Sequence, residues 1–270
     1  MSVFNSKTKS PPSSFRIAEL WGGIQRAALE FVYPPTCLLC HAEITDTVDD
    51  HQPHNHNSSL CADCLVKLAA SAGHACRRCG APVGPFTIAT DHCILCRREN
   101  FAFDEVVRLG LYRNELRIAC LKAKNPAGAL LAQTLADLLV DGGQEPLTAQ
   151  PFQTVMPVPE HWLKRIVRPQ YAAETIARQI STRLKVRLAT GILAKARWTP
   201  KQAKSPPVQR RQQQQDAFRV VGTGVRGQSI LLVDDILTTG ATADAAARAL
   251  KRAGASRVVV AVLAVSPPRV

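Results

Sequence analysis

Two adjacent carboxylates, Asp234 and Asp235, follow the apolar run SILLV near the end of the sequence. A turn of hydroxyl and small side chains comes next, and an alanine-rich helical pattern follows it. The turn residues are Leu237, Thr238, Thr239, Gly240, Ala241 and Thr242. Free N–H groups, hydroxyl donors and the positive dipole end at the start of a helix bind anions such as phosphate. The glycine permits a positive φ or a close backbone approach.

The two carboxylates would repel a phosphate bound in this turn unless a hydrogen-bond donor lay between the two charges. A ribose with free 2- and 3-hydroxyls and a 5-phosphate meets that condition. Its hydroxyls donate to the carboxylates while its phosphate occupies the turn. The residue types and their order therefore predict a ribose 5-phosphate site.

Eight of the nine cysteines form four C-x-x-C pairs, which indicate metal binding. The pairs are Cys37/Cys40, Cys61/Cys64, Cys76/Cys79 and Cys93/Cys96. Two C-x-x-C turns complete the tetrahedral site that Zn²⁺ favours. Because the spacings between the pairs are those of zinc ribbons, we assign one zinc to the first two pairs and one to the last two. Each closed four-thiolate site is predicted to be structural.

Other interpretations of the cysteines remain open, including an interleaved pairing of the four turns. An iron–sulfur cluster and a redox dithiol are two of them, although a redox site needs a single pair. In a third, His51, His54 and His56 act as ligands, although they lie in a polar insertion and the cysteines already supply every ligand. Zinc is preferred. Cys120, which is unpaired within an apolar helical pattern, is predicted to be a core residue.

A parallel α/β sheet with helices on both faces is predicted for the part of the chain that must position the carboxylates. Continuous apolar strands are predicted at 106–112, 152–158, 229–233 and 257–265. They alternate with helical patterns at 115–123, 129–140, 172–184 and 243–252. This alternation is typical of a parallel sheet covered on both faces. Ligands bind at the carboxyl ends of such strands, where Asp234 and Asp235 are placed.

Three segments are expected along the chain. Residues 1–32 are predicted to be a disordered tail followed by an amphipathic helix, and residues 33–100 a double zinc ribbon. Residues 101–270 are predicted to form the α/β domain. No stretch reaches the roughly 18 apolar residues of a membrane span. We therefore expect no transmembrane segment. Because the cysteines are assigned to metal, we also expect a cytoplasmic, reducing location.

The net charge of +13 is concentrated in one segment. Residues 1–100 carry nine lysine and arginine residues and nine acidic residues, whereas residues 161–219 carry fourteen basic residues against Glu174 and Asp216. A basic excess of this kind predicts a polyanionic partner.

The string VDDILTTGAT resembles the phosphoribosyl-pyrophosphate (PRPP) binding motif of type I phosphoribosyltransferases. The four C-x-x-C pairs followed by this domain resemble the ComF/GntX family, competence-protein-like phosphoribosyltransferase homologues with an N-terminal double zinc ribbon. Further matches are Leu121-Lys122, Pro157-Val158-Pro159, Arg197-x-Thr199-x-x-Gln202 and Ala217-Phe218. The chain departs from the family at 168–172, where it reads RPQYA in place of R-G-[FY]-N-Q. It also has Gln213 where the family has asparagine.

The resemblance implies that PRPP binds together with Mg²⁺ and that ribose 5-phosphate is transferred to a nucleophile, with Mg-pyrophosphate leaving. Asp234 and Asp235 would hold the ribose hydroxyls, and Thr238 to Thr242 the 5-phosphate. Candidates for the pyrophosphate side and for a hood that closes over it are Lys164, Arg165, Arg168, Arg197, Lys201, Arg210 and Arg211. No segment identifies the acceptor.

A hypothesis of a different class is a non-catalytic accessory protein of DNA uptake. Its basic segment 161–219 would bind single-stranded DNA, and DNA-uptake proteins would be its partners. Bases stack on aromatic side chains in such sites. The segment offers Trp162, Tyr171, Trp198 and Phe218.

Overall fold

The structure is a computed structural model that describes residues 34–44, 59–85, 92–142, 147, 151–159, 172–195 and 217–267. Its two compact units are Met1–Cys61 and Ala62–Val270. The amphipathic helix predicted before residue 33 lies outside the described residues. The domain boundaries predicted at residues 33 and 101 stay predictions.

In the unit Met1–Cys61, the described residues form a tight turn around the first cysteine pair. Thr36 and Glu43 form an antiparallel bridge. Within it, the Cys37 N–H donates to the Ala42 carbonyl and the His41 N–H to the Cys37 carbonyl, both at 2.8 Å. The turn therefore brings the two ends of a short loop together.

Seven strands lie in the described part of the unit Ala62–Val270. They are β1 Glu105–Leu111, β2 Thr154–Pro157, β3 Arg187–Leu188, β4 Leu193–Lys195, β5 Phe218–Val220, β6 Ser229–Leu237 and β7 Arg257–Val265. Five form a sheet in the order β1-β7-β6-β2-β3, and every pair in it is parallel. Strands β4 and β5 form a separate antiparallel pair. The predicted parallel sheet is confirmed.

Helices cover both faces of this sheet. They are α1 Ala62–Ala69, α2 Asn114–Ala123, α3 Ala129–Asp141, α4 Ala172–Leu184 and α5 Ala241–Arg252. Helix α5 shares one core with alternate residues of the central strands, such as Ile230, Leu232 and Val260. Helices α3 and α4 pack against each other and against strands of the sheet on the opposite face. None of the helices in the described ranges combines the length and apolar character needed to cross a membrane.

Strand β6 continues past the point at which the sequence predicted its end. It was expected to stop before the aspartates, but it includes them and runs to Leu237. Strand β7 pairs with it along this extension, with Leu237 opposite Val265. On its other side β2 stops at Pro157, opposite Val233. Among the described strands, the last four residues of β6 therefore have no partner on the β2 side.

Candidate functional site

The paired carboxylates lie on β6 beyond the end of β2. Asp234 is only 9% exposed, whereas Asp235 is partly buried. The Asp235 N–H donates to Asp234 Oδ1 at 2.9 Å, and the Ile236 N–H donates to Asp235 Oδ1 at 2.6 Å. Each carboxylate is thus held by the backbone N–H of the following residue. A carboxylate oxygen has more than one lone pair, so both groups can also accept hydrogen bonds from a ligand.

The two carboxylates have unequal electrostatic environments. Burial raises the pKa of Asp234 to about 7, and the adjacent negative charge of Asp235 contributes to the same rise. Asp235 instead forms an ion pair with Lys124, whose Nζ lies 3.1 Å from Asp235 Oδ2. A buried acid that titrates near neutral pH beside a paired carboxylate is typical of a functional site.

Lys124 is a residue of this site that the sequence analysis missed. It is the C-cap residue of α2, and its position there brings its ammonium to the carboxyl end of β6. In the sequence, Lys124 is only a basic residue at the end of a helical pattern. Such residues are common there because they interact favourably with the helix dipole, so the position did not indicate a ligand site.

The turn after β6 has the backbone geometry of an anion site. Gly240 is the N-cap residue of α5, with φ 77° and no side-chain cap. The Asp244 N–H donates to the Gly240 carbonyl at 2.8 Å, and the Ala241 N–H lies 3.4 Å from Thr239 Oγ1. The first N–H groups of a helix have no intrahelical acceptor. Those of α5 can therefore bind an anion, with the exposed residues Thr238 and Thr239 beside them.

Phe101 packs against the back of this turn. A Cβ at position 240 would lie 3.2 Å from Phe101 Cε1. One helical turn further on, Asp244 Oδ1 accepts the Ala102 N–H at 2.6 Å. A cavity of about 600 Å³ adjoins the turn, and its lining includes Thr238, Thr239 and Gly240 together with Phe101, but neither Asp234 nor Asp235. The turn therefore borders this cavity, whereas the carboxylates of Asp234 and Asp235 do not.

We predict that Gly240→Ala destabilises the protein more than Gly222→Ala. Both glycines have positive φ, but a Cβ at 222 meets nothing within 4 Å. The left-handed conformation costs a residue with a Cβ about 1 kcal/mol at either position. At 240 the contact with Phe101 adds to that cost. Urea unfolding of the two variants measures the difference, and equal losses would contradict the close packing of Phe101 on the turn.

The cysteines form two groups whose geometry fits tetrahedral zinc. The Sγ atoms of Cys37, Cys40, Cys61 and Cys64 lie within 4.8 Å of one another, as do those of Cys76, Cys79, Cys93 and Cys96. Zinc–sulfur bonds of about 2.3 Å in a tetrahedron place the sulfur atoms roughly 3.8 Å apart. The Cys40–Cys61 and Cys79–Cys93 distances are both 3.6 Å, and Cys76–Cys96 is 3.9 Å. The grouping matches the assignment made from the sequence and differs from an interleaved one.

Several predicted residues lie outside the described residues. They are Lys164, Arg165, Arg168, Arg197, Lys201, Arg210 and Arg211, as well as His51, His54, His56, Trp162, Tyr171 and Trp198. Phe218 is described and corrects one expectation. Its side chain is 4% exposed and lies in the core that α5 shares with the central strands, so it cannot stack on a base. Cys120 is 1% exposed, as expected of a core residue.

Comparison with known families finds two matches, each to part of the chain. Residues 164–269 match the phosphoribosyl transferase domain, and residues 28–98 match the double zinc ribbon domain. The chain therefore combines a phosphoribosyltransferase-type domain with a double zinc ribbon, and its two cysteine groups support structural zinc. The assignment to ComF/GntX within this class stays a prediction.

Solved structures with similar segments include two enzymes and one further protein. One is the glutamine PRPP amidotransferase from B. subtilis complexed with ADP and GMP (20% identity, 54% of this chain, 26% of that chain, TM-score 0.33). Another is an allosteric regulatory enzyme of purine biosynthesis (18% identity, 54% of this chain, 26% of that chain, TM-score 0.33). The third is the protein TT1426 from Thermus thermophilus (18% identity, 54% of this chain, 85% of that chain, TM-score 0.30). The chain spans about a quarter of the length of the first two. No curated protein matches it.

Proposed function

We propose that the chain binds PRPP with Mg²⁺ at the carboxyl end of β6. Asp234 and Asp235 accept hydrogen bonds from the ribose hydroxyls, and Thr238 to Thr242 hold the 5-phosphate. One observation carries the proposal. The carboxylates and the uncapped start of α5 follow each other on one strand and turn, inside the segment matched to the phosphoribosyl transferase domain.

The electrostatics of the described residues support a ligand with both hydroxyl and phosphate groups. Burial raises the pKa of Asp234 to about 7, so near neutral pH this group carries less negative charge toward an anionic ligand than an exposed aspartate would. Lys124 compensates the charge of Asp235, which reduces repulsion of an anionic ligand. The start of α5 adds its N–H groups and dipole. A simple cation would gain nothing from the start of the helix.

Transfer of the phosphoribosyl group is the further part of this proposal. In it, the bond between ribose C1 and the pyrophosphate oxygen breaks, a bond from C1 to a nucleophile forms, and Mg-pyrophosphate leaves. The chain's contribution is positioning and charge stabilisation. Because the sequence at 168–172 departs from the family pattern for the pyrophosphate side, we propose ligand binding ahead of turnover.

Thermal unfolding with and without PRPP and Mg²⁺ tests the proposal. A ligand at about 100 times its Kd stabilises the folded state by about 2.7 kcal/mol, so the melting temperature should rise by several degrees. PRPP without Mg²⁺ should give a smaller shift, and Mg²⁺ alone none. Absence of any shift at millimolar PRPP would contradict a competent site.

Single-stranded DNA binding by the segment 161–219 is the alternative function, and its support is the basic charge. Part of that charge already has partners inside the domain. Arg178 pairs with Glu174 at 3.4 Å, Arg183 bonds to Asp137 and Asp141, and Lys195 lies over Phe218. DNA binding weakens steeply with salt because counterions are released. An affinity for oligonucleotide that survives moderate salt would therefore argue against this contact.

A further inference from the structure

The second metal ribbon is fastened to the segment that leads into β1. Arg78 lies between the ligands Cys76 and Cys79, and its guanidinium donates to three carbonyl oxygens. The acceptors are those of Phe101 at 2.5 Å, Asp104 at 3.0 Å and Phe103. The guanidinium also lies 5.6 Å from the centre of the Phe103 ring. One side chain of the ribbon thus fixes the backbone of residues 101–104.

The same segment holds the turn and the first part of α5. Phe101 stacks on Phe103 with ring centres 4.7 Å apart, and it also packs behind Gly240. Asp244 accepts the Ala102 N–H, and Arg248 joins Asp244 at 2.9 Å to the Asn100 carbonyl at 2.6 Å. The turn and the first part of the helix are therefore both in contact with residues 100–102.

The turn has few side-chain restraints of its own beyond the contact of the Ala241 N–H with Thr239 Oγ1. Gly240 supplies no capping side chain, and Thr238 and Thr239 are exposed. Glycine has the greatest backbone freedom, so a turn built on it loses much entropy when it is ordered. A binding site that is already ordered does not lose that entropy when the ligand binds. Contacts from outside the turn must therefore contribute to its order, and the segment 100–104 supplies such contacts.

We infer that Arg78 and Phe101 are positioning residues of the proposed 5-phosphate site, through which the second ribbon holds the turn at Gly240 ready for its ligand. The inference rests on the proposed function for the identity of the ligand. It adds that the ribbon acts on affinity as well as on stability. The path runs from the C-x-x-C turn through Arg78 to residues 101–103 and from there to Gly240 and Asp244.

The test compares full-length Arg78→Ala, Arg78→Lys and the control Arg97→Ala with the wild type, each with its zinc content measured. Arg97 belongs to the same ribbon and is exposed. Two measurements are made: amide hydrogen exchange of peptides covering 238–244 without ligand, and affinity for PRPP with Mg²⁺. Arg78→Ala should exchange faster and bind on the order of tenfold more weakly, since it loses three charge-assisted hydrogen bonds. In both the exchange rate and the affinity, Arg78→Lys should lie between the wild type and Arg78→Ala, and Arg97→Ala should equal the wild type.

If the amides of residues 238–244 exchange at the wild-type rate in a zinc-loaded Arg78→Ala variant, the inference is overturned. Faster exchange with unchanged affinity overturns it too, since the ribbon would then serve stability alone. If Arg78→Ala does not fold, Phe101→Leu replaces it, because that change removes the ring behind Gly240 and leaves the ribbon's hydrogen bonds in place. If the wild type binds no PRPP, the proposed function fails, and the exchange comparison alone decides whether the ribbon orders the turn.

Discussion

Replacing Asp234 by asparagine should stabilise the unliganded protein and at the same time abolish binding of a phosphoribosyl ligand. Asp234 is buried beside Asp235, and burial together with that charge raises its pKa to about 7. An unfolded aspartate titrates near pH 4. The folded state therefore holds a proton that the unfolded state releases. Asparagine is uncharged at every pH and keeps an oxygen that can accept the Asp235 N–H.

The gain from Asp234→Asn should grow with pH. A carboxyl group whose folded pKa is raised contributes its full stability below the unfolded pKa and loses it as the pH rises through the folded pKa. From the shift of Asp234 to about 7, the variant should exceed the wild type by about 2 kcal/mol at pH 5 and about 4 kcal/mol at pH 8. Urea unfolding at the two pH values measures this. A difference that does not change with pH would contradict a raised pKa.

Asp141→Asn is the matched control for the stability measurement. Asp141 is 53% exposed and bonds to Arg183 at the surface, where ion pairs contribute little. Its substitution should change stability by less than about 1 kcal/mol. In the binding measurement, Asp234→Asn should lose the PRPP-induced rise in melting temperature, as should the double variant Asp234→Asn, Asp235→Asn, whereas Asp141→Asn should keep it.

The purified protein should contain two zinc ions per chain, and Cys96→Ser should contain one and be strongly destabilised. Structural zinc contributes roughly 10 kcal/mol or more to folding in small zinc domains. The second ribbon also packs closely on the sheet, because a Cβ at Gly80 would lie 2.9 Å from side-chain atoms of both Val106 and Val265. Loss of that zinc should therefore lower the free energy of unfolding of the sheet as well.

Cys120→Ala is the control for the zinc prediction, because Cys120 is equally buried but belongs to neither cysteine group. It should keep both zinc ions and lose only packing energy, about 1 kcal/mol. Metal analysis and thermal unfolding of the three proteins provide the data. Iron in place of zinc, or a Cys96→Ser variant that still holds two zinc ions, would show that the assignment of the ligands is wrong.

The fold was predictable where a segment was long and strongly patterned. Helix α4 and strand β7 have the bounds that the sequence predicted, Ala172–Leu184 and Arg257–Val265. The strands β3, β4 and β5 were missed because two or three residues show no period. Helix α1 was missed because its eight residues overlap a C-x-x-C turn, which hides the helical pattern.

The candidate site was predictable as far as it is contiguous in sequence. The carboxylates, the turn and the start of α5 are neighbours along the chain, so their types and order indicated a ligand. Lys124 and Phe101 reach the site from more than 100 residues away. Their contacts depend on the order of strands in the sheet, which no local pattern encodes. The zinc grouping lies between these two cases. Ribbon spacing favoured it without excluding an interleaved pairing, and the sulfur distances agree with it.

The position of β7 has a consequence for how the chain is made. Among the described strands, β1 has β7 as its single neighbour in the sheet, and β7 is the last of them to leave the ribosome. Glu105 at the start of β1 bonds to Arg77 of the ribbon at 2.9 Å and to Arg257 of β7 at 2.6 Å. Until β7 is synthesised, the second ribbon and β1 have no sheet to join. A deletion that removed only β7 would therefore leave β1 without a strand partner, and toward the turn and α5 the second ribbon would keep only the described contacts that residues 100–102 make with them.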